Sequence, residues 1–224
     1  MRIGQSATPV ISASDPLPDP VTARPDGLVA VGGGLSVARL RQAYRQGIFP
    51  WSADPETWWS PDPRAVIDLV RGVRVSRRLA QKLRQGRFEV TRDRAFRQVM
   101  EACGGKRDGQ DSSWISPALT QAYVALHEAG DAHSVEVWLD GGLVGGIYGV
   151  AAGGAFAGES MFHHEADASK IALASLADHL KGQGFVLFDV QVANPFTSQM
   201  GAEEIPRREF LGRLRKALAA DVAF

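Results

Sequence analysis

The chain has 224 residues, 45% hydrophobic and 22% charged, with 25 Lys plus Arg balanced by 25 Asp plus Glu. These values describe an ordinary globular protein, one large domain or a small one joined to a medium one. No apolar run is long enough to span a bilayer, and a single cysteine, Cys103, excludes an internal disulfide, which fits a cytoplasmic location.

Met1 to Pro20 lacks the charged-then-apolar pattern of a signal peptide and carries several prolines, so it reads as a loosely ordered leader. Ser36 caps a helix that carries Leu40, Ala43 and Tyr44 and ends at Gly47. The Gly32-Gly33-Gly34 run lacks the lysine and spacing of a phosphate loop and reads as a tight turn. Trp51, Trp58 and Trp59 then fall in a stretch whose prolines argue against a helix or a central strand. Such rings either pack a minor core or stack on a planar ligand such as a nucleobase.

Pro61-Asp62-Pro63 marks a boundary that divides the chain into 1–63 and 64–224. Beyond it, Ala65 to Val70 reads as a strand. Ser76 caps a helix from Arg77 to Gln85, stopped by Gly86, with Leu79 and Leu83 facing inward. Between Arg64 and Arg97 eleven Lys and Arg meet only three acids, so this segment carries +8 inside a neutral chain. A local patch rather than the total attracts phosphate. Arg77, Arg78, Lys82 and Arg84 on this helix are the candidates, the alternative being a merely solvated face.

Phe88 to Val90 is strand-like, and Asp93 caps a helix through Phe96, Val99, Met100 and Cys103. Gly104 to Asp111 is a polar loop, and Ser116-Pro117 opens a helix to His127. The period then changes to alternation. Ser134 to Leu139, Leu143 to Val150 and Ala155 to Phe162 form an antiparallel meander joined at Asp140-Gly141-Gly142 and Gly153-Gly154. Asp167 caps a helix from Ala168 to Lys181, Phe185 to Gln191 is a strand, and Arg207 to Ala220 closes the chain as a helix.

This order is α+β: a small N-terminal domain, then a mixed, mostly antiparallel sheet flanked by helices. It resembles the GNAT acyltransferases. Acetyl-CoA users of that fold carry an Arg/Gln-x-x-Gly-x-Gly/Ala loop after the meander. Here the corresponding helix opens with Asp167-Ala168-Ser169-Lys170, so CoA is not the expected donor.

Asp189 and Gln191 lie two apart on the last strand and share a face, with Phe188 and Val190 on the other. A carboxylate beside a primary amide can orient an incoming amine; the alternative is a strand-terminal Asp that caps a loop. Glu159 falls inside the meander, where a carboxylate is costly unless it is partnered or functional; the alternative is an edge-strand surface residue. His163-His164-Glu165 with Asp167 matches no zinc spacing and reads as a solvated loop, so no metal is expected. His133 satisfies a buried backbone group, Cys103 is core, and Ser160 lacks a visible His–Asp pair for a triad.

Several segments together resemble one family: Pro25 to Gly33, Gly47 to Trp51, Trp58 to Arg64, Ala132 to Trp138, Leu143 to Gly149, Gly158 to Phe162, Ala168-Ser169-Lys170 and Asp189-x-Gln191. The family is leucyl/phenylalanyl-tRNA–protein transferase, and the resemblance runs from Pro25 to Phe210. It implies transfer of Leu or Phe, and Met less well, from aminoacyl-tRNA to proteins beginning with Arg or Lys, which marks them for degradation in the N-end rule (N-degron) pathway. The donor ester is already activated, so no cofactor is implied. By the same resemblance Trp51 and Trp114 hold the terminal adenosine. Ile147, Phe156, Met161, Leu173 and Phe188 line the pocket for the donor side chain, and Ser160 and Asn194 join the substrate-binding set. Glu159 and Asp189 are the carboxylates for the acceptor's Arg or Lys, and Asp189 and Gln191 stand at the reacting centre. An amide is a poor base, so alignment of the amine is the favoured role.

One segment departs from the family pattern. Where relatives carry His, Ser and, between Asp and Gln, Cys, this chain has Phe196, Gln199 and Val190. The departure keeps two rivals open: a related transferase with an altered donor or acceptor, and a tRNA-binding protein without catalysis.

Overall fold

A computed structural model describes residues 8–105 and 115–224. The first sheet holds β1 (Val10–Ile11), β2 (Leu28–Gly32), β3 (Phe49–Ala53) and β4 (Glu56–Trp59), with helix α1 (Val37–Arg45) between β2 and β3. Its strand order is β1-β2-β4-β3, so β4 is a central strand, against the sequence expectation. The prolines permit this by their placement. Pro55 and Pro61 flank β4, and Pro50 lies in the edge strand β3, where a missing N–H is tolerated. Trp58 is fully buried and donates its indole N–H to the Gly32 carbonyl at 2.7 Å, so it is core rather than a stacking platform.

The expected loose leader is also corrected from residue 8 onward. β1 pairs in parallel with β2. The Arg39 guanidinium donates to the carbonyls of Ser12, Ala13 and Asp15, and Leu17 is buried.

The second sheet runs through β5 (Arg64–Ile67), β6 (Glu89–Arg92), β7 (Ala132–Leu139), β8 (Gly142–Ala152), β9 (Ala155–His163), β10 (Leu187–Gln191) and β11 (Glu203–Ile205). The strand order is β11-β5-β10-β9-β8-β7-β6, and every pairing is antiparallel except β9 with β10. The helices are α2 (Arg77–Arg84), α3 (Phe96–Cys103), α4 (Pro117–Glu128), α5 (Ala168–Gln183), α6 (Pro195–Gln199) and α7 (Arg207–Ala217). The meander, the following helix and the strand after it are all present in the expected order, and that strand, β10, pairs in parallel with β9. Strand β11 and helix α6 carry no signal strong enough to be read from so few residues.

Three serine caps hold as expected: Ser36, Ser76 and Ser116 each accept a backbone N–H three residues on. The two aspartate caps do not. Asp93 accepts from the Ser134 N–H and faces His133, while the amides of Arg94 and Ala95 before α3 point at the buried carboxylate of Glu136. Asp167 is left-handed and spends its carboxylate on Lys82 and Lys170. His133 therefore meets a carboxylate at 2.8 Å, not a backbone group. In α2 only Leu79 is buried; Leu83 is 37% exposed, because this eight-residue helix reaches the core through its first turn alone.

Helix α5 covers one face of the large sheet, packing Ile171, Leu173 and Leu176 with Val135, Ile147, Phe156 and Phe188. Helices α1, α3 and α4 cover the other. There one apolar cluster runs from Ala30, Leu40 and Trp58 through Tyr123 to Tyr148 and Phe162, joining the two sheets. Helix α7 closes the β5 side through Phe210 and Leu214.

Candidate active site

Strands β9 and β10 pair only from Ala155 opposite Leu187 to Ala157 opposite Asp189. Just beyond, both are bulged. Tyr148 of β8 faces Ser160 and Gly149 faces Gly158, which leaves Glu159 as an extra residue. Asp189 faces Val66 and Gln191 faces Ala65, which leaves Val190 as an extra residue. A bulge bends its strand and re-aims a side chain. Gly149 permits the first one: a Cβ there would lie 2.2 Å from the Ala157 carbonyl oxygen. The two strands part, and the side chains beyond the last pair bridge the gap, with Gln191 Nε2 donating to Glu159 Oε1 at 2.6 Å.

The bulge also corrects the expected common face of Asp189 and Gln191. Gln191 has φ of 64°, held by its N–H donating to Asp189 Oδ1 at 2.8 Å. Its amide turns toward Glu159, whereas the Asp189 side chain turns inward to β5. There Arg64 Nε and Nη2 donate to both carboxylate oxygens at 2.8 and 2.7 Å, with both side chains buried. The guanidinium sits between the rings of Phe49 and Phe210, 4.8 and 4.4 Å from their centroids, and donates also to the Gly47 carbonyl. Arg64 thus leaves the basic surface and Asp189 is already paired, so of the two expected acceptor-binding carboxylates only Glu159 has no cation partner among the described residues.

Glu159 is unlike Asp189. It lies on a central strand, as the sequence suggested, but no cation pairs with it among the described residues. Its second oxygen accepts from the Tyr123 hydroxyl at 3.1 Å, and Tyr123 in turn hydrogen-bonds the Tyr44 hydroxyl. Burial of the carboxylate pushes its pKa up to about 8, against the hydrogen bonds from Tyr44 and Tyr123 that pull it down. Burial likewise drives both tyrosine hydroxyls well above their usual range. Sequence reasoning missed both tyrosines: each sits on the apolar stripe of a helix, and nothing in the chain indicates that residues 79 apart meet.

A cavity of about 700 Å³ opens beside this bridge. Five expected site residues line it: Ile147, Glu159, Ser160, Met161 and Asn194. Phe156, Leu173 and Phe188 do not; they are fully buried in the cluster behind the wall. Gly158 separates Phe188 from the cavity, since a Cβ there would meet the Phe188 ring at 3.2 Å. The substituted residues Val190 and Phe196 line the cavity and Gln199 is exposed away from it. His163 and His164 also line it, so the expected solvated loop is partly wall, with the Ser169 hydroxyl 3.4 Å from His163 Nδ1. Trp51 is 41% exposed on the edge strand β3, edge-on to Trp59 at 5.4 Å and 5.8 Å from Phe49. Trp114 lies outside the described residues.

The basic patch is narrower than its residue count. Arg77, Arg78 and Arg84 are exposed, with no ion pair among the described residues. Lys82 instead reaches Asp167 at 2.6 Å, which lowers the Asp167 pKa. Arg71 and Arg94 pair with Glu203 and Glu89. Among the described residues no cluster of metal-ligating side chains exists, and no helix is long and apolar enough to cross a membrane.

Comparison with known proteins bears on this arrangement. Residues 66–215 match the model of the leucyl/phenylalanyl-tRNA protein transferase family, and residues 33–62 match the model of its N-terminal domain. A leucyl/phenylalanyl-tRNA–protein transferase of Xanthomonas oryzae pv. oryzae is 52% identical over 213 residues, covering 93% of this chain and 85% of the relative. One from Aromatoleum aromaticum is 53% identical over 192 residues, covering 85% and 81%. Among solved structures, a conserved Staphylococcus epidermidis protein described as functionally unknown aligns at a TM-score of 0.42 with 10% identity, over 64% of this chain and 57% of that one. A GCN5-related N-acetyltransferase from Kribbella flavida aligns at 0.39 with 13% identity, over 73% and 58%.

Proposed function

The chain belongs to the leucyl/phenylalanyl-tRNA protein transferase family, and from that premise we propose that it moves Leu or Phe, and Met less well, from aminoacyl-tRNA to the α-amine of proteins beginning with Arg or Lys. It is an aminoacyltransferase, and the proposed acceptors place it in the N-degron pathway and in the cytoplasm. The observation that carries the reading is the Glu159–Gln191 bridge at the parting of β9 and β10, beside a cavity whose apolar lining includes Ile147, Met161, Val190 and Phe196, alongside the polar Ser160, His163, His164 and Asn194. That wall suits an apolar donor side chain, whose burial contributes about 1.5–3 kcal/mol. The departures at Val190 and Phe196 add apolar wall rather than polar groups, which favours Leu and Phe over a polar donor.

In this reading Trp51, with Trp114, stacks on the terminal adenosine, and Arg77, Arg78 and Arg84 meet tRNA phosphates. Asp189, neutralised by Arg64, fixes the backbone of Gln191. Because Gln191 Nε2 donates to Glu159, its Oε1 is left to accept from the attacking amine. The division into 1–63 and 64–224 belongs to the same reading and falls where the two family matches divide.

The test is transfer of label from radiolabelled Leu-tRNA or Phe-tRNA to a peptide beginning with Arg. Labelled peptide is the expected result, with none on a peptide beginning with Asp. Binding of the tRNA without product, where a control enzyme works, would make the chain a non-catalytic tRNA binder. Product only with another acceptor would make it a transferase of altered choice.

A further inference from the structure

We propose that Glu159 takes the proton that the acceptor amine loses and returns it to the departing ribose oxygen, with Tyr44 and Tyr123 as positioning residues that hold its carboxylate beside Gln191. The inference rests on the transfer reading and assigns its proton. In that reaction the amine lone pair forms a bond to the ester carbonyl carbon, and the bond from that carbon to the ribose oxygen breaks. One N–H proton must leave the nitrogen and one must reach the ribose oxygen. A single carboxylate that accepts the first and supplies the second closes the balance and ends the cycle ionised as it began, with no cofactor.

The geometry selects Glu159 for this work by elimination. Asp189 is buried against β5 with both oxygens held by Arg64 and one also receiving the Gln191 N–H, so its charge is already neutralised by a cation. The Gln191 amide carries no usable base, and its Nε2 is turned to Glu159. His163 lies four residues further along β9, about 13 Å away, beside Ser169. Glu159 is a partly buried carboxylate on the cavity wall, with no cation paired to it among the described residues, in contact with the amide that the amine must approach. Its surroundings are Tyr44 from α1, Tyr123 from α4, Asp189 from β10 and Arg64 from β5. Asp189 and Arg64 cancel as a pair, so two phenols and an amide define its setting. Burial then gives it a proton affinity close to that of an α-amine, about 7.7–8.0, whereas a solvated carboxylate would be too weak a base to take the proton.

The experiment is single-turnover transfer from Phe-tRNA to a peptide beginning with Arg, at saturating peptide, from pH 6 to 10. Wild type shows a rate that rises through an acidic limb. Glu159→Gln keeps acceptor and donor groups for Gln191 and Tyr123, and is expected to lose about 10²–10⁴-fold in rate and to keep only the limb that belongs to the peptide's own amine. Tyr44→Phe and Tyr123→Phe each remove a hydrogen bond that favours the ionised carboxylate, so the limb moves to higher pH. The peptide's own amine titrates identically in every variant, so only a limb belonging to Glu159 can move. If Glu159→Gln stays within threefold of wild type, the proposal is overturned. Should that variant not fold, an unmoved limb in both tyrosine variants overturns it equally. An absence of transfer by wild type would instead defeat the transfer reading itself.

Discussion

The Arg64–Asp189 pair offers the sharpest test of how this site is built. Arg64→Met removes the guanidinium but keeps an unbranched apolar side chain between Phe49 and Phe210. Asp189 then remains buried at 4% exposure with no cation, and its surviving partner is the Gln191 N–H. Breaking a buried pair by deleting one partner costs about 3–5 kcal/mol, whereas removing both charges is often nearly neutral. Removing the attraction of the cation to the two rings adds about 1 kcal/mol or more. Arg64→Met alone should therefore lose about 4 kcal/mol or more. The double variant with Asp189→Asn keeps an oxygen for the Gln191 N–H and buries no charge, so it should recover at least half of that. Urea denaturation at pH 7, followed by far-UV circular dichroism, measures both. A loss under about 1 kcal/mol in the single variant, or losses that simply add in the double, would show that the pair does not hold β5 against β10 as argued. Transfer by the double variant is the second readout. If Asp189 acts by fixing the Gln191 backbone, activity stays within about tenfold; if its negative charge were used, Asn could not substitute.

Three further outcomes follow from the same geometry. Reversing Arg77, Arg78 and Arg84 to Glu should raise the KM for tRNA and flatten the salt dependence by about 0.7–0.9 in log–log slope for each phosphate that is no longer neutralised, as nitrocellulose filter binding at 50–200 mM salt would show. Trp51→Ala should cost about 1–2 kcal/mol of stability through the lost ring contacts with Trp59 and Phe49, leaving the chain folded, and should weaken binding of the aminoacyl-adenosine analogue puromycin by about 1–3 kcal/mol, measurable by calorimetry. Glu159 titrates near 8 when folded and near 4.5 when not, so the folded chain holds an extra proton between these values. Its contribution to stability is complete below about pH 4.5 and is lost as the pH rises to 8, on the order of a few kcal/mol. The stability difference between wild type and Glu159→Gln should therefore change between pH 5 and pH 8.5 in urea melts; equal differences at both would mean that the carboxylate is solvated.

The strongly periodic parts of the chain were legible. The meander, the serine-capped helices and the β10 strand follow from alternation, from Ser36, Ser76 and Ser116, and from glycine turns, all of which act within a few residues. What escaped is what depends on partners far along the chain. Trp58 became core because β2 and β3 close on both sides of it, a pairing that the neighbouring prolines disguised. Asp93 and Asp167 had the right residue type and place for a cap, but Ser134 and Lys82 compete for their carboxylates. The site itself turns on two extra residues, Glu159 and Val190, and a bulge has no signature in alternation except that it breaks it. Period-two logic therefore placed Asp189 and Gln191 on one face, although the left-handed turn at Gln191 sends them to different partners, one to Arg64 and one to Glu159. The resemblance in Gly158-Glu159-Ser160 and Asp189-x-Gln191 pointed to residues that the structure brings together where β9 and β10 part, while alternation misjudged their orientation. That is the expected division where function requires local geometry to violate a regular pattern: residue type survives in the sequence, and direction is decided by the register of neighbouring strands.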